Sequence, residues 1–109
     1  MSIWYRVKDL EAARAFYRDK LGFEEAYVDD EDRWARLVRG EAEVALAEGE
    51  PDDEEPILTL DVPDVKAEAE RLRNAGVEVG TVLEIPSTIR LLDVFDPDGN
   101  RIQLTQDLS

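Results

Sequence analysis

The side chains with most to offer chemistry are two tryptophans, several arginines and a scatter of carboxylates and amides, among them Trp4, Arg6, Trp34, Arg36, Asp61, Asp93 and Gln103. Indole rings near guanidinium groups hold flat or charged organic molecules by stacking and polar contact. What is missing narrows the field as much. The chain has no cysteine and no histidine. Thiolate nucleophiles, disulfides and thiolate metal ligands are therefore excluded. So are the usual acid/base side chain near neutral pH and the commonest nitrogen ligand for transition metals. There is no Ser/His or Cys/His pair and no glycine-rich phosphate loop. Two carboxylates such as Asp61 and Asp93 could do general-base work if buried. With 27 acidic residues, however, such pairs arise by chance.

Charge excludes further classes. The 27 acidic residues face 13 basic ones, for a net charge of −14. Such a surface repels the phosphates of nucleic acid and the anionic surface of a membrane. Only Lys8, Lys20 and Lys66 are lysines. An acidic, lysine-poor surface suits a protein kept soluble at high salt, and equally a solvated acidic face from a bias toward arginine. At 109 residues the chain can bury one modest core. No apolar run approaches the roughly 20 residues of a membrane span. No basic-then-apolar leader opens the chain, so a cytoplasmic location is expected.

The elements that must position these side chains come in two copies. In the first, Ile3, Tyr5 and Val7 alternate with Trp4 and Arg6, as a half-buried strand does. Asp9 is a helix N-cap, and Leu10, Ala13, Phe16, Tyr17 and Leu21 form one helical stripe. Gly22 suits a left-handed C-cap. Strands are expected over 23–28, 33–38 and 42–47. The second copy begins with a strand over 57–62. Asp64 caps a helix with the stripe Val65, Ala69, Leu72 and Ala75, and Gly76 ends it. A strand over 77–83 follows. A hairpin then pairs 88–95 with 101–106 through the turn Asp96-Pro97-Asp98-Gly99. Asp9 and Asp64 stand half a chain apart, and each half reads strand–helix–three strands. We expect one domain of α+β class built of two βαβββ modules, residues 1–49 and 57–109. An acidic, proline-flanked spacer at 50–56 joins them. The sheets are expected to be mixed and curved, with the helices on the outer faces and a cleft between the modules.

The run Val7-x-Asp9-Leu10-x-x-Ala13-x-x-Phe16-Tyr17-x-x-x-Leu21-Gly22-Phe23 resembles the first motif of the vicinal oxygen chelate superfamily, which includes glyoxalase I, bleomycin-resistance proteins and extradiol dioxygenases. The run Asp96-Pro97-Asp98-Gly99-Asn100-Arg101-Ile102-Gln103-Leu104 resembles its last. In metal-dependent members the resemblance implies a ligand seven residues before the capping Asp. That position is Ser2 in the first module and Ile57 in the second. It implies a Glu in the last strand, where this chain has Gln103. It also implies a fourth ligand on the fourth strand, where the candidates are Glu43, Ala45 and Ala47. Ile57 cannot ligate, Ser2 is a poor ligand and Gln103 a weak one. We therefore expect no metal and no cofactor.

Strand alternation places Trp4, Arg6, Trp34, Arg36, Thr59, Asp61, Asp93 and Gln103 away from the helices. These are the expected ligand-binding residues. The leading expectation is a metal-free protein of the bleomycin-resistance type. It would hold a small organic ligand between the modules or at the interface of a homodimer. The alternatives are an enzyme with a degenerate metal site, and a non-catalytic interaction or regulatory module.

Overall fold

The computed structural model describes residues 3–50 and 57–109. Ser2 and, apart from Glu50, the expected acidic spacer lie outside the described residues. The chain divides into two compact units, Met1–Pro56 with Asp96–Asn100, and Ile57–Phe95 with Arg101–Ser109. Both mix helix and sheet, as expected for an α+β chain. Among the described residues no helix is long and apolar enough to cross a membrane.

The first unit runs β1 (Ile3–Val7), α1 (Leu10–Asp19), β2 (Glu24–Asp29), β3 (Trp34–Arg39) and β4 (Ala42–Glu48). The sheet order is β1-β4-β3-β2, with β1 parallel to β4 and the other pairs antiparallel. Asp9 caps α1, its carboxylate accepting the Ala12 N–H at 3.1 Å. Gly22 then adopts φ +74, where a side chain would be strained. The stripe Leu10, Ala13, Phe16 and Tyr17 is buried. So are Tyr5, Val7, Ala35, Leu37, Val44 and Leu46, which form the helix-side face of the sheet. Glu48, at the end of β4, accepts the Leu10 N–H at 3.1 Å and the Arg33 guanidinium at 2.9 Å. Arg33 also bonds Glu11 at 2.7 Å. That hydrogen bond holds the Glu11 carboxyl down at about 2.

The turn of the last motif belongs to this unit. Asp96 is 5% exposed, yet four donors converge on its carboxylate. Oδ1 accepts the N–H groups of Asp98 and Asn100, both at 2.9 Å. Oδ2 accepts the Tyr17 hydroxyl and the Asn100 side-chain amide, also at 2.9 Å. The same amide donates to the Arg6 carbonyl at 3.1 Å. Burial pushes the Asp96 carboxyl above its ordinary range against the pull of these donors. Burial, with the neighbouring Asp96 charge, raises the Tyr17 hydroxyl well above its own.

The second unit runs β5 (Leu58–Asp61), α2 (Val65–Asn74), β6 (Glu78–Val79), β7 (Leu83–Ile85), β8 (Ile89–Phe95) and β9 (Arg101–Asp107). The order is β5-β9-β8-β6, with β7 also on β8 and β5 parallel to β9. Asp64 caps α2 through the Ala67 N–H at 3.1 Å, and Gly76 takes φ +82. Gln106 accepts the Val65 N–H at 3.0 Å. It thus does for α2 what Glu48 does for α1.

One expected element differs. The single strand expected over 77–83 is broken into β6 and β7, which lie along the same edge of β8. Val79 is opposite Val94 and Leu83 opposite Leu91, so three residues, 80–82, span two of β8. The Gly80 N–H still reaches the Asp93 carbonyl at 2.8 Å. One residue too many bends the strand and interrupts its ladder. β2 carries the same device: Glu25 faces Leu37 and Tyr27 faces Arg36, leaving Ala26 unpaired.

The buried carboxylate network predicts stability effects. Tyr17→Phe removes one hydrogen bond to a charged acceptor and should cost about 1.5–3 kcal/mol in urea unfolding. Asp96→Asn should cost more than that, because it sets an amide donor against the Asn100 amide. A Tyr17→Phe protein as stable as the parent would show the hydrogen bond to be dispensable.

Candidate functional site

On the first sheet the strands place side chains in rows across the face turned from α1. One row reads Trp4, Ala45, Arg36 and Tyr27; the next reads Arg6, Ala47, Trp34 and Asp29. The two tryptophans sit on strands that flank β4 and meet over it, ring centroids 5.5 Å apart and tilted by 40°. They can do so because β4 offers only methyl groups there, at Ala45 and Ala47. Tyr27 extends the cluster, 5.1 Å from Trp34 with a tilt of 48°. Trp4 and Tyr27 are each 48% exposed. The result is a tilted aromatic surface whose rings do not close on one another, a geometry suited to stacking with a further ring.

Two arginines border it. Arg36 pairs with Glu43 at 3.3 Å. Arg6 is exposed and runs beside Gly49. The structure thus brings Trp4, Arg6, Trp34 and Arg36 together on one face, as the alternation predicts.

Tyr27 is the residue the sequence reading missed. Uninterrupted alternation from Phe23 would send Tyr27 toward the helix. The extra residue at Ala26 turns it to the open face instead. Nothing in β2 itself announces the bulge. The available signal was Gly80, at the matching place of the second repeat, since glycine inside a strand often marks such an irregularity. There the bulge has the same effect and turns Leu83 to the face of Leu91.

The remaining expected residues lie on the second sheet. Thr59, Gln103 and Asp93 form one row across β5, β9 and β8. Asp61 accepts the Thr105 hydroxyl at 2.6 Å. The Asp93 carboxylate is 3.1 Å from the Arg101 guanidinium. That approach falls outside hydrogen-bond geometry, and the buried Asp93 Oδ1 has no hydrogen-bond partner among the described residues. An open depression of about 450 Å³ is lined by Asp61, Thr88, Ile89, Thr105 and Asp107, among others. Beyond it Leu83 and Ile85 on β7 are 61% and 54% exposed, paired with Leu91 and Ile89.

The donor set does not fit a catalytic divalent cation, which needs about three good protein ligands. Ile57 is hydrocarbon, Gln103 a neutral amide, and Ala45 and Ala47 offer nothing. Glu43 is engaged by Arg36. Among the described residues no three acidic side chains gather closely enough to hold a metal ion.

The sequence model of the Glyoxalase/Bleomycin resistance protein/Dioxygenase superfamily matches residues 2–104. No curated protein matches the chain. Among solved structures, an integron cassette protein from the mobile metagenome of the Halifax Harbour sewage outfall is 24% identical, with a TM-score of 0.86 over 97% of this chain and 96% of that one. A member of the same superfamily from Sphaerobacter thermophilus is 26% identical, with a TM-score of 0.82 over 97% and 94%. TnmS3, an antibiotic binding protein from Streptomyces sp. CB03234, is 29% identical, with a TM-score of 0.78 over 97% and 93%.

The contact over β4 has a spectroscopic signature. Two indoles this close should give an exciton couplet in circular dichroism. Ala45→Leu, which fills the space beneath the rings, should abolish the couplet while the protein stays folded, at a cost of about 1–3 kcal/mol. A couplet that survives would mean that the alanine floor does not bring the rings together.

Proposed function

We propose, from a chain that belongs to the Glyoxalase/Bleomycin resistance protein/Dioxygenase superfamily, that it binds an aromatic organic small molecule on the open face of its first sheet, without metal chemistry. The observation that carries this reading is the exposed cluster of Trp4, Trp34 and Tyr27 over the alanines of β4. Exposed apolar surface gathered into one patch marks a site of interaction. Rings already held at stacking distance lose little freedom when a ligand ring joins them. Arg6 and Arg36 supply polar contacts at the rim. On the second sheet, taken by itself, Thr59, Asp93 and Gln103 offer a row of hydrogen-bonding groups to a ligand, with Asp61 bonded to Thr105 nearby. The likeness to an antibiotic binding protein at 29% identity supports binding of an organic molecule over its turnover. The absence of a fitting ligand set on the described residues points the same way.

We further propose that the working form is a homodimer. Leu83 and Ile85 stand exposed on a short strand that, among the described residues, is paired on one side only, to β8. An apolar edge of this kind is an invitation to pairing unless something covers it. A second copy of the chain would cover it at no cost in specificity.

Both readings are open to direct test. A panel of planar aromatic antibiotics should include members that quench tryptophan emission and raise Tm. Trp4→Ala should weaken their binding about tenfold, as loss of a stacking ring worth roughly 1.4 kcal/mol would. The unliganded variant should stay folded, losing about 0.5–1.5 kcal/mol with the Trp34 contact. A panel that perturbs neither signal would sink the binding proposal. For the dimer, light scattering should give twice the monomer mass for the parent chain and the monomer mass for a Leu83→Asp, Ile85→Asp double variant. A monomeric parent would refute it.

A further inference from the structure

We infer that the ligand of the first sheet carries an anionic group, a carboxylate or an equivalent oxyanion, and that Arg6 is the side chain that reads it; this rests on the aromatic binding proposed above. The argument begins with an imbalance. Carboxylates outnumber cationic side chains about two to one in this chain, so an arginine has no shortage of partners. Every other arginine takes one: each of the nine forms an ion pair or donates a hydrogen bond to a main-chain carbonyl. The Arg6 guanidinium alone has no partner of either kind among the described residues.

Its surroundings explain why. Arg6 lies in the row of Ala47 and Trp34, two residues along the same strand face from Trp4. The carboxylates that share this face are distant or held elsewhere, Glu24 lying two rows from Arg6, in the row of Val38 and Glu43. Glu43 pairs with Arg36, and Asp29 accepts the N–H groups of Glu31 and Asp32 at 3.1 and 3.0 Å. Glu48, next along β4, belongs to the opposite face, where Arg33 and the Leu10 N–H engage it. The Arg6 side chain also runs where Gly49 has no side chain. A Cβ there would come within 3.2 Å of Nη1. The guanidinium is thus given room over Gly49, at the end of the sheet face that carries the two indoles, and has no anion among the described residues.

A planar fork of donors on the same sheet face as a stacking surface, but displaced from it toward Gly49, matches one ligand chemistry best. That is an aromatic ring bearing a carboxylate or similar oxyanion, the ring on the indoles and two oxygens on the guanidinium. The overall charge of −14 does not forbid this. Exposed charges farther than about 8 Å are largely screened at physiological ionic strength.

The two tryptophans provide two indole N–H signals, so ¹⁵N-labelled full-length protein can be titrated with matched probes. We expect 1-naphthoate to shift both signals and to bind about tenfold more tightly than its neutral isostere 1-naphthamide, as a charge-assisted hydrogen bond would give. Arg6→Gln should abolish that preference, bringing the two probes to the same affinity. Equal affinity of the parent protein for the two probes, or a preference for 1-naphthylmethylammonium, would overturn the anionic inference and leave the aromatic site standing. A preference that persists in Arg6→Gln would assign it to another cation and overturn the role of Arg6. If no probe shifts either indole, the aromatic reading itself fails.

Discussion

A single helix can seal only one face of a sheet, and the rest of this structure follows from that limit. α1 and α2 each lie against their own sheet, with buried stripes of Leu10, Ala13, Phe16 and Tyr17 in one case and Val65, Ala69 and Leu72 in the other. Because strand side chains alternate, every residue that helps the helix bury its stripe commits its neighbours to the opposite face. Tyr5 and Val7 are buried, so Trp4 and Arg6 cannot be. The open face is a consequence of making the core, and its content is where this chain can differ from others with the same core.

Most of this arrangement was legible in the residues. Asp9 and Asp64 marked the helix starts, and Gly22 and Gly76 the ends. The alternation through Trp4, Trp34 and Arg36 gave the right face, as it did for Thr59, Asp93 and Gln103, which the register also brings into one row. What the alternation could not supply was a change of phase. A bulge adds one residue and reverses every side chain after it, with no cost visible in composition. Reading β2 as unbroken hides Tyr27 in the core, and reading 77–83 as unbroken misses both β7 and the outward turn of Leu83. The duplication held the remedy, since Gly80 and Ala26 occupy matching places. An irregularity present in both repeats is a property of the architecture, and either copy can reveal it in the other.

The last motif illustrates a separation between marking a family and performing its chemistry. Asp96 and Asn100 sit in the sequence where a functional cluster could be suspected. Yet Asp96 has no lone pair to offer a substrate. It is buried, and four donors hold it: two main-chain N–H groups of its own turn, the Asn100 amide and the Tyr17 hydroxyl. Such a carboxylate is expensive to bury and worse to leave half-satisfied. The network therefore fixes the turn against the first unit whatever the open faces bind. Residues that build a fold in this way persist through changes of function, and so they carry information about architecture alone.

The open face shows the complementary case. A strand that would present metal ligands in the catalytic relatives implied by the resemblance presents Glu43, Ala45 and Ala47 here. Methyl groups at Ala45 and Ala47 keep the floor between β1 and β3 low, and two indoles from those strands close over the gap. An exposed ring pair would gain more burial by collapsing into a core, but the alternation that seals Tyr5 and Val7 holds Trp4 outside. The rings can therefore complete their packing only with something that is not part of the sheet. The methyl groups of Ala45 and Ala47, which offer a cation no ligand, are also what leaves room for the two indoles to meet.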